Sequence, residues 1–198
     1  ASIYSSASIL GRLVSFLMNL HITPRTIWLT RHGQSVYNTR GLLGGDSPLS
    51  RAGIGYADAL RCFVRARDPA VIWTSTLQRT IQTGRATGRG CLQIKALDEI
   101  DAGICDGMTY AQIADRFPSV ADARAADKLR YRYPQGESYE DVIRRLDPVI
   151  MDLERSQEPV MVIAHQAVLR ALYAYLVGQA REDCPHLSIP LHTVIELR

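Results

Sequence analysis

The run Val160-Met161-Val162-Ile163-Ala164 holds five apolar residues without a polar interruption and ends directly on His165. A strand apolar on both of its faces must be covered on both, which is the situation of a parallel sheet sandwiched by helices. Two shorter runs, Thr26 to Thr30 and Val71 to Thr74, are rich in β-formers and read as buried strands. Polar residues follow each of them at once: Arg31-His32-Gly33 after the first, Ser75, Thr76 and Arg79 after the second. Leu92 to Leu97 is a weaker strand, with Glu99 just beyond it. Between these runs lie helical patterns. Ser50 is placed to cap one helix through Ala66, and Ser138 another through Glu154 that Pro148 should kink or split. A third runs from Ala167 to Val177 and stops at Gly178. Strands alternating with helices predict a three-layer α/β domain, a mostly parallel sheet with helices on both faces. Ligands in such folds bind outside the carboxyl ends of the strands, so Arg31, His32, Arg79, Glu99 and His165 are expected to converge.

The length of 198 residues suits one compact domain. The net charge of +3 comes from 21 Arg and 2 Lys against 20 acidic residues, and the arginines are scattered. A nucleic-acid partner would require a basic patch, so none is expected. Lys95 and Lys128 stand out as the two positions that keep a compact ammonium where Arg is the rule. Cys62, Cys91, Cys105 and Cys184 lie far apart with no zinc spacing, which predicts reduced thiols in a cytoplasmic protein. Ile9 to Leu20 reads as an amphipathic helix ended by Thr23-Pro24. Interrupted by Arg12 and Asn19, it is too short for a membrane span and lacks the pattern of a signal peptide.

Most single histidines are structural, and His21, His186 and His192 have no chemistry-bearing neighbours in sequence. His32 differs: Arg31 precedes it, Gly33 follows, and Ser35 and Asn38 come next. Such a loop supplies N–H donors and a guanidinium to phosphate oxygens, and a neutral imidazole within it can attack phosphorus. The charge of a transferring phosphoryl group spreads over its equatorial oxygens, which Arg31, Arg79 and His165 would stabilise. An alkoxide leaving group needs a proton, and Glu99 is the candidate general acid. No Gly-x-Ser-x-Gly elbow, Walker loop or metal-ligand spacing is present, so no metal and no cofactor is expected.

At Arg31-His32-Gly33 the chain resembles the histidine phosphatase superfamily, whose fold is phosphoglycerate mutase-like. Longer stretches are similar to its fructose-2,6-bisphosphatase branch, found in bifunctional kinase/phosphatase enzymes. They include Gly44-Gly45-Asp46-Ser47, Trp73-Thr74-Ser75, Arg79 to Thr83, Glu99 to Gly103, Gly136 to Asp141, His165 to Val168 and Pro190 to Val194. The resemblance runs from about Gly11 to the end. It implies a phosphohistidine at His32 and a proton donor at Glu99, with Asn38 and Gly44 beside the reacting phosphoryl. It further implies sugar and 6-phosphate contacts from Tyr110, Arg124, Lys128, Arg132, Tyr139, Gln166 and Arg170. Residues 1–24 would be the end of a kinase domain and its linker, and 25–198 the phosphatase. The implied partners are a small sugar bisphosphate and the kinase domain of the same natural chain, with a homodimer allowed.

One departure stands out: the family usually reads Arg-His-Gly-Glu, and Gln34 occupies the last position here. Two alternatives use the same residues. A phosphoglycerate mutase would return the phosphoryl to an acceptor instead of water, and an inactive regulatory domain would lack turnover altogether.

Overall fold

The computed structural model describes residues 24–198; the helix expected over Ile9–Leu20 lies outside them. Five strands form one sheet: β1 (Ile27–Arg31), β2 (Val71–Thr74), β3 (Cys91–Gln93), β4 (Val160–Ala164) and β5 (Val194–Leu197), in the order β3-β2-β4-β1-β5. The pairs β1/β4, β2/β4 and β2/β3 are parallel, and β5 adds an antiparallel edge to β1. Arg31 lies opposite Ala164 and Thr74 opposite Ile163, so β1, β2 and β4 end at one level of the sheet.

Seven helices accompany the sheet among the described residues: α1 (Val36–Arg40), α2 (Arg51–Arg67), α3 (Gln78–Ala86), α4 (Tyr110–Arg116), α5 (Pro118–Ala126), α6 (Tyr139–Arg155) and α7 (Gln166–Leu176). The sheet's alternation separates two cores. Val160, Val162 and Ala164 pack with Leu146, Leu153 and Leu172 of α6 and α7. Met161 and Ile163 point the other way, into a cluster with Leu60 and Val64 of α2. Helices therefore cover both faces, and every side chain of β4 is buried, which accounts for its uninterrupted apolar run.

Ser50 and Ser138 cap α2 and α6 as expected, each accepting from the backbone N–H three residues on. Against expectation, α6 continues through Pro148 as a single helix. Proline there forfeits the bond to the Arg144 carbonyl, but buried Leu146, Val149, Ile150 and Leu153 anchor the chain on both sides of it. The strand expected over Leu92–Leu97 is shorter: pairing covers Cys91–Gln93, and Lys95–Leu97 forms a 3-10 turn that buries Leu97.

Two glycines bring α2 onto the loop that leaves β1. A Cβ on Gly33 would lie 2.4 Å from the Gly53 carbonyl oxygen, and one on Gly53 would lie 2.1 Å from the Gln34 oxygen. Neither side chain can be accommodated against backbone atoms at such distances.

Candidate active site

The loop after β1 is fixed from several directions. The His32 N–H donates to Ala164 O (3.0 Å) and the Gly33 N–H to Thr83 Oγ1 (3.0 Å), while Ser50 N–H donates to Gln34 O (2.8 Å). His32 is 2 % exposed, and its Nδ1 lies 2.7 Å from the Gly33 carbonyl. A carbonyl only accepts, so Nδ1 carries the proton and Nε2 presents its lone pair. Arg79 Nε donates to that Nε2 at 3.2 Å and Arg79 Nη1 to Gly45 O at 2.6 Å. Burial first, and then the positive charge of Arg79, push the His32 pKa down to about 3, so the ring is a free base at neutral pH.

His165 closes β4 and lies beneath His32, with ring centroids 5.1 Å apart. It is fully buried, and its Nε2 bonds Ser75 Oγ at 2.7 Å, which in turn bonds Thr80 Oγ1 at 2.8 Å. Burial and the charge of Arg79 hold its pKa well below the ordinary histidine value. Its Nδ1 and the Nε of Arg31 are buried atoms without a hydrogen-bond partner within the protein. Orphaned polar atoms are costly, and two at one site leave hydrogen-bonding capacity directed at a ligand.

Glu99 faces the same cavity. Its carboxylate accepts from the N–H groups of Ile100 (2.9 Å), Gln166 (3.2 Å) and Ala167 (3.2 Å), and so caps α7 from outside the helix. Asn38 completes a capping box with Ser35 at the start of α1, its Oδ1 taken by the Ser35 N–H. Gly44 has a φ of +62° and its missing Cβ would sit on Asp106 Oδ1. Asp106 accepts the Gly45 N–H through both oxygens, so Gly44 serves the loop's approach to Asp106.

The same cavity is lined by Tyr110, Arg124, Lys128, Tyr139, Gln166 and Arg170. Arg124 Nη2 donates to Tyr110 Oη (3.2 Å) and stacks over that ring. Lys128 Nζ donates to Pro185 O (2.8 Å). Arg170 donates to Leu187 O (2.6 Å) and Tyr139 Oη (2.9 Å). Burial, then the charges of Arg170 and Arg124, lower the Lys128 pKa to about 8. Burial raises the Tyr139 phenol to about 12.

Arg31, Arg79, Arg124, Lys128 and Arg170 share one property. None is in a salt bridge among the described residues; their hydrogen-bond partners are carbonyls, a phenol or an imidazole. Neutral acceptors orient a cation without cancelling it. Arg132 behaves otherwise: it is exposed, bonds the Asp141 carboxylate, and lies outside the cavity lining. It is the one residue of the expected substrate contacts that the fold leaves apart.

Ser75, read only as a polar residue after its strand, supports His165, and Asp106 is a support that sequence reading did not single out. The same holds for His192, whose Nε2 accepts the Gln34 N–H (3.1 Å) while its ring stacks on Tyr56. The Gln34 side chain accepts from the Ser50 hydroxyl at 2.8 Å, a bond a glutamate there would also accept. The exchange therefore preserves the loop's anchor to α2.

Among the described residues no three His, Cys, Asp or Glu side chains are grouped to hold a metal ion, and no helix is long and apolar enough to cross a membrane.

The histidine phosphatase superfamily (branch 1) matches residues 27–198. A 6-phosphofructo-2-kinase/fructose-2,6-bisphosphatase of Arabidopsis thaliana is 54% identical over 193 residues, which is 95% of this chain and 26% of that protein. The Homo sapiens 6-phosphofructo-2-kinase/fructose-2,6-bisphosphatase 1 is 52% identical over 189 residues, 94% of this chain and 40% of that protein. The chain thus spans about a quarter to two fifths of these relatives. Among solved structures, a mycobacterial glucosyl-3-phosphoglycerate phosphatase complexed with VO3 superposes with a TM-score of 0.79 at 28% identity, covering 88% of this chain and 93% of that one. Sequence, fold and a buried neutral histidine between unneutralised arginines agree, and the chain belongs to the histidine phosphatase superfamily, branch 1.

Proposed function

We propose that the chain hydrolyses the 2-phosphate of fructose 2,6-bisphosphate, giving fructose 6-phosphate and inorganic phosphate. The observation that carries this reading is the division of the unneutralised cations into two groups in one cavity. The charges of Arg79 and Arg31 act on His32 and those of Arg170 and Arg124 act on Lys128, all within one cavity lining. Two cationic ends suit a substrate with two phosphoryl groups, and relatives at 52–54% identity carry fructose-2,6-bisphosphatase in their names.

In the first step His32 Nε2 attacks phosphorus; the N–P bond forms, the P–O2 bond breaks, and Glu99 gives its proton to the departing sugar oxygen. Arg31, Arg79 and His165 stabilise the charge on the equatorial oxygens. In the second step Glu99 takes a proton from water, whose oxygen attacks phosphorus as the N–P bond breaks. The Nδ1 proton of His32 stays on Nδ1, donated to the Gly33 carbonyl throughout, so the lone pair regenerates at Nε2. The names of the relatives and the short span they share with this chain support a kinase domain as its partner in a bifunctional protein. The four cysteines are unpaired, which fits a reducing, cytoplasmic setting.

Incubation with fructose 2,6-bisphosphate should release inorganic phosphate and fructose 6-phosphate in equal amounts. Phosphoryl transfer to an added three-carbon acid in place of release would identify a mutase. No turnover with any phosphate ester would identify a regulatory domain.

A further inference from the structure

Three cations of the cavity are held by one short stretch of backbone. Lys128 Nζ donates to Pro185 O at 2.8 Å, Arg170 Nε to Leu187 O at 2.6 Å, and Arg31 Nη1 to Ile189 O at 3.1 Å. The acceptors are alternate residues, and the cations come from three separate parts of the fold: the segment after α5, the helix α7 and the end of β1. Pro185 lies inside the 3-10 turn Cys184–His186, and the chain turns extended at Leu187. Carbonyls two apart in an extended chain lie about 6.6 Å apart on one side, which suits Leu187 and Ile189, and the turn before them presents the Pro185 carbonyl to Lys128, so one short segment holds all three cations. The row is not free to drift. Cys184 and Ile189 are buried in the main core and Leu187 packs against it, and a close-packed core transmits a displacement without absorbing it.

We propose that residues 185–189 are a positioning segment that ties the two ends of the cavity together, so that occupation of the Lys128/Arg170 end by the second phosphoryl group sets Arg31 for attack at the first. This rests on the bisphosphate reading above. When a dianion engages Lys128 and Arg170, both groups keep one N–H on the row, and the row also holds Arg31. Binding energy of the unreactive phosphate is then expressed in the reacting step as well as in affinity. A contact equal in ground and transition states would act on KM alone.

The test uses the chain with the substrate in pieces. Turnover of fructose 2-phosphate is measured at saturation with and without inorganic phosphite as a surrogate for the missing dianion, alongside fructose 2,6-bisphosphate. The expected result is a saturated rate for fructose 2-phosphate at least about tenfold below that for the bisphosphate, with phosphite recovering a measurable part of the difference. Equal saturated rates, or phosphite that only inhibits while the bisphosphate turns over normally, would overturn the coupling and leave the substrate reading intact. Absence of bisphosphate turnover would overturn both. A second chain, with one glycine inserted between Ser188 and Ile189, moves the Arg31 acceptor out of register with the other two. It should lose phosphite activation yet still bind fructose 6-phosphate in a direct binding assay, and activation retained at the original level would also count against the proposal.

Discussion

The two ends of the cavity are built differently. At the reacting end His32, Arg79 and His165 are buried, the two histidines directly past the ends of parallel strands and Arg79 in the first turn of α3, and are bonded to backbone or to buried hydroxyls. At the far end Tyr110 is 54% exposed and Arg124 rests on phenol rings, on helices with few buried side chains. Where chemistry needs preorganised charge, the sheet supplies rigidity. Where the site holds the second phosphate, short polar helices and one backbone row orient the cations. Substitutions at the first end should therefore act on kcat, and those at the second on KM together with a smaller fall in kcat.

The largest expected effect is at Glu99. Glu99→Gln keeps one of the two oxygens that cap α7 but removes the transferable proton, so phosphorylation of the enzyme should slow by about 10²–10⁴-fold with binding changed far less. Rapid-quench kinetics of the first turnover measures this directly, and a wild-type first turnover would require another donor. Arg79→Ala should lower kcat by about 10²–10³-fold while leaving inhibition by fructose 6-phosphate near its original level. A change confined to KM would place Arg79 among the binding groups and dissolve the distinction between the two ends.

Lys128→Ala should raise KM for the bisphosphate by about tenfold or more and weaken product inhibition, with a smaller fall in kcat. The same residue gives a pH dependence whose sign is fixed. Its pKa in the free protein is pushed down to about 8, so the charged form that grips phosphate prevails below that value and is lost above it. KM should rise as pH passes about 8, and this rise should be absent from Lys128→Ala. His32, at about 3, contributes no protonation near neutral pH. The smallest effect belongs to Arg132→Ala: its partner is the Asp141 carboxylate and it lies outside the cavity, so steady-state constants should stay within about twofold, an exposed ion pair being worth little.

The strands that carry the reacting end could be read from the sequence because five consecutive apolar residues admit few other structures, and the polar residues after them mark the strand ends. The edge strand Val194–Leu197 is half-exposed along its length and carries no such signal. Helices α3, α4 and α5 are short, and α3 and α5 bury little apolar surface, which left them without a clear period. Arg124 and Arg132 looked alike in sequence. What separates them is Asp141, the third helical residue of a capping box with Ser138, which supplies Arg132 with a carboxylate. The row of carbonyls over 185–189 has no sequence signature, since every residue has a carbonyl and only the fold decides where it points.

The central claim is that Nε2 of His32 receives the phosphoryl group. Wild-type chain mixed with fructose 2,6-bisphosphate labelled in its 2-phosphate, quenched within the first turnover and digested, should yield one labelled peptide containing Arg31-His32-Gly33, with a phosphoryl bond labile to acid and stable to alkali. Label on any other residue, or release of labelled phosphate at the wild-type rate from His32→Ala, would contradict the account.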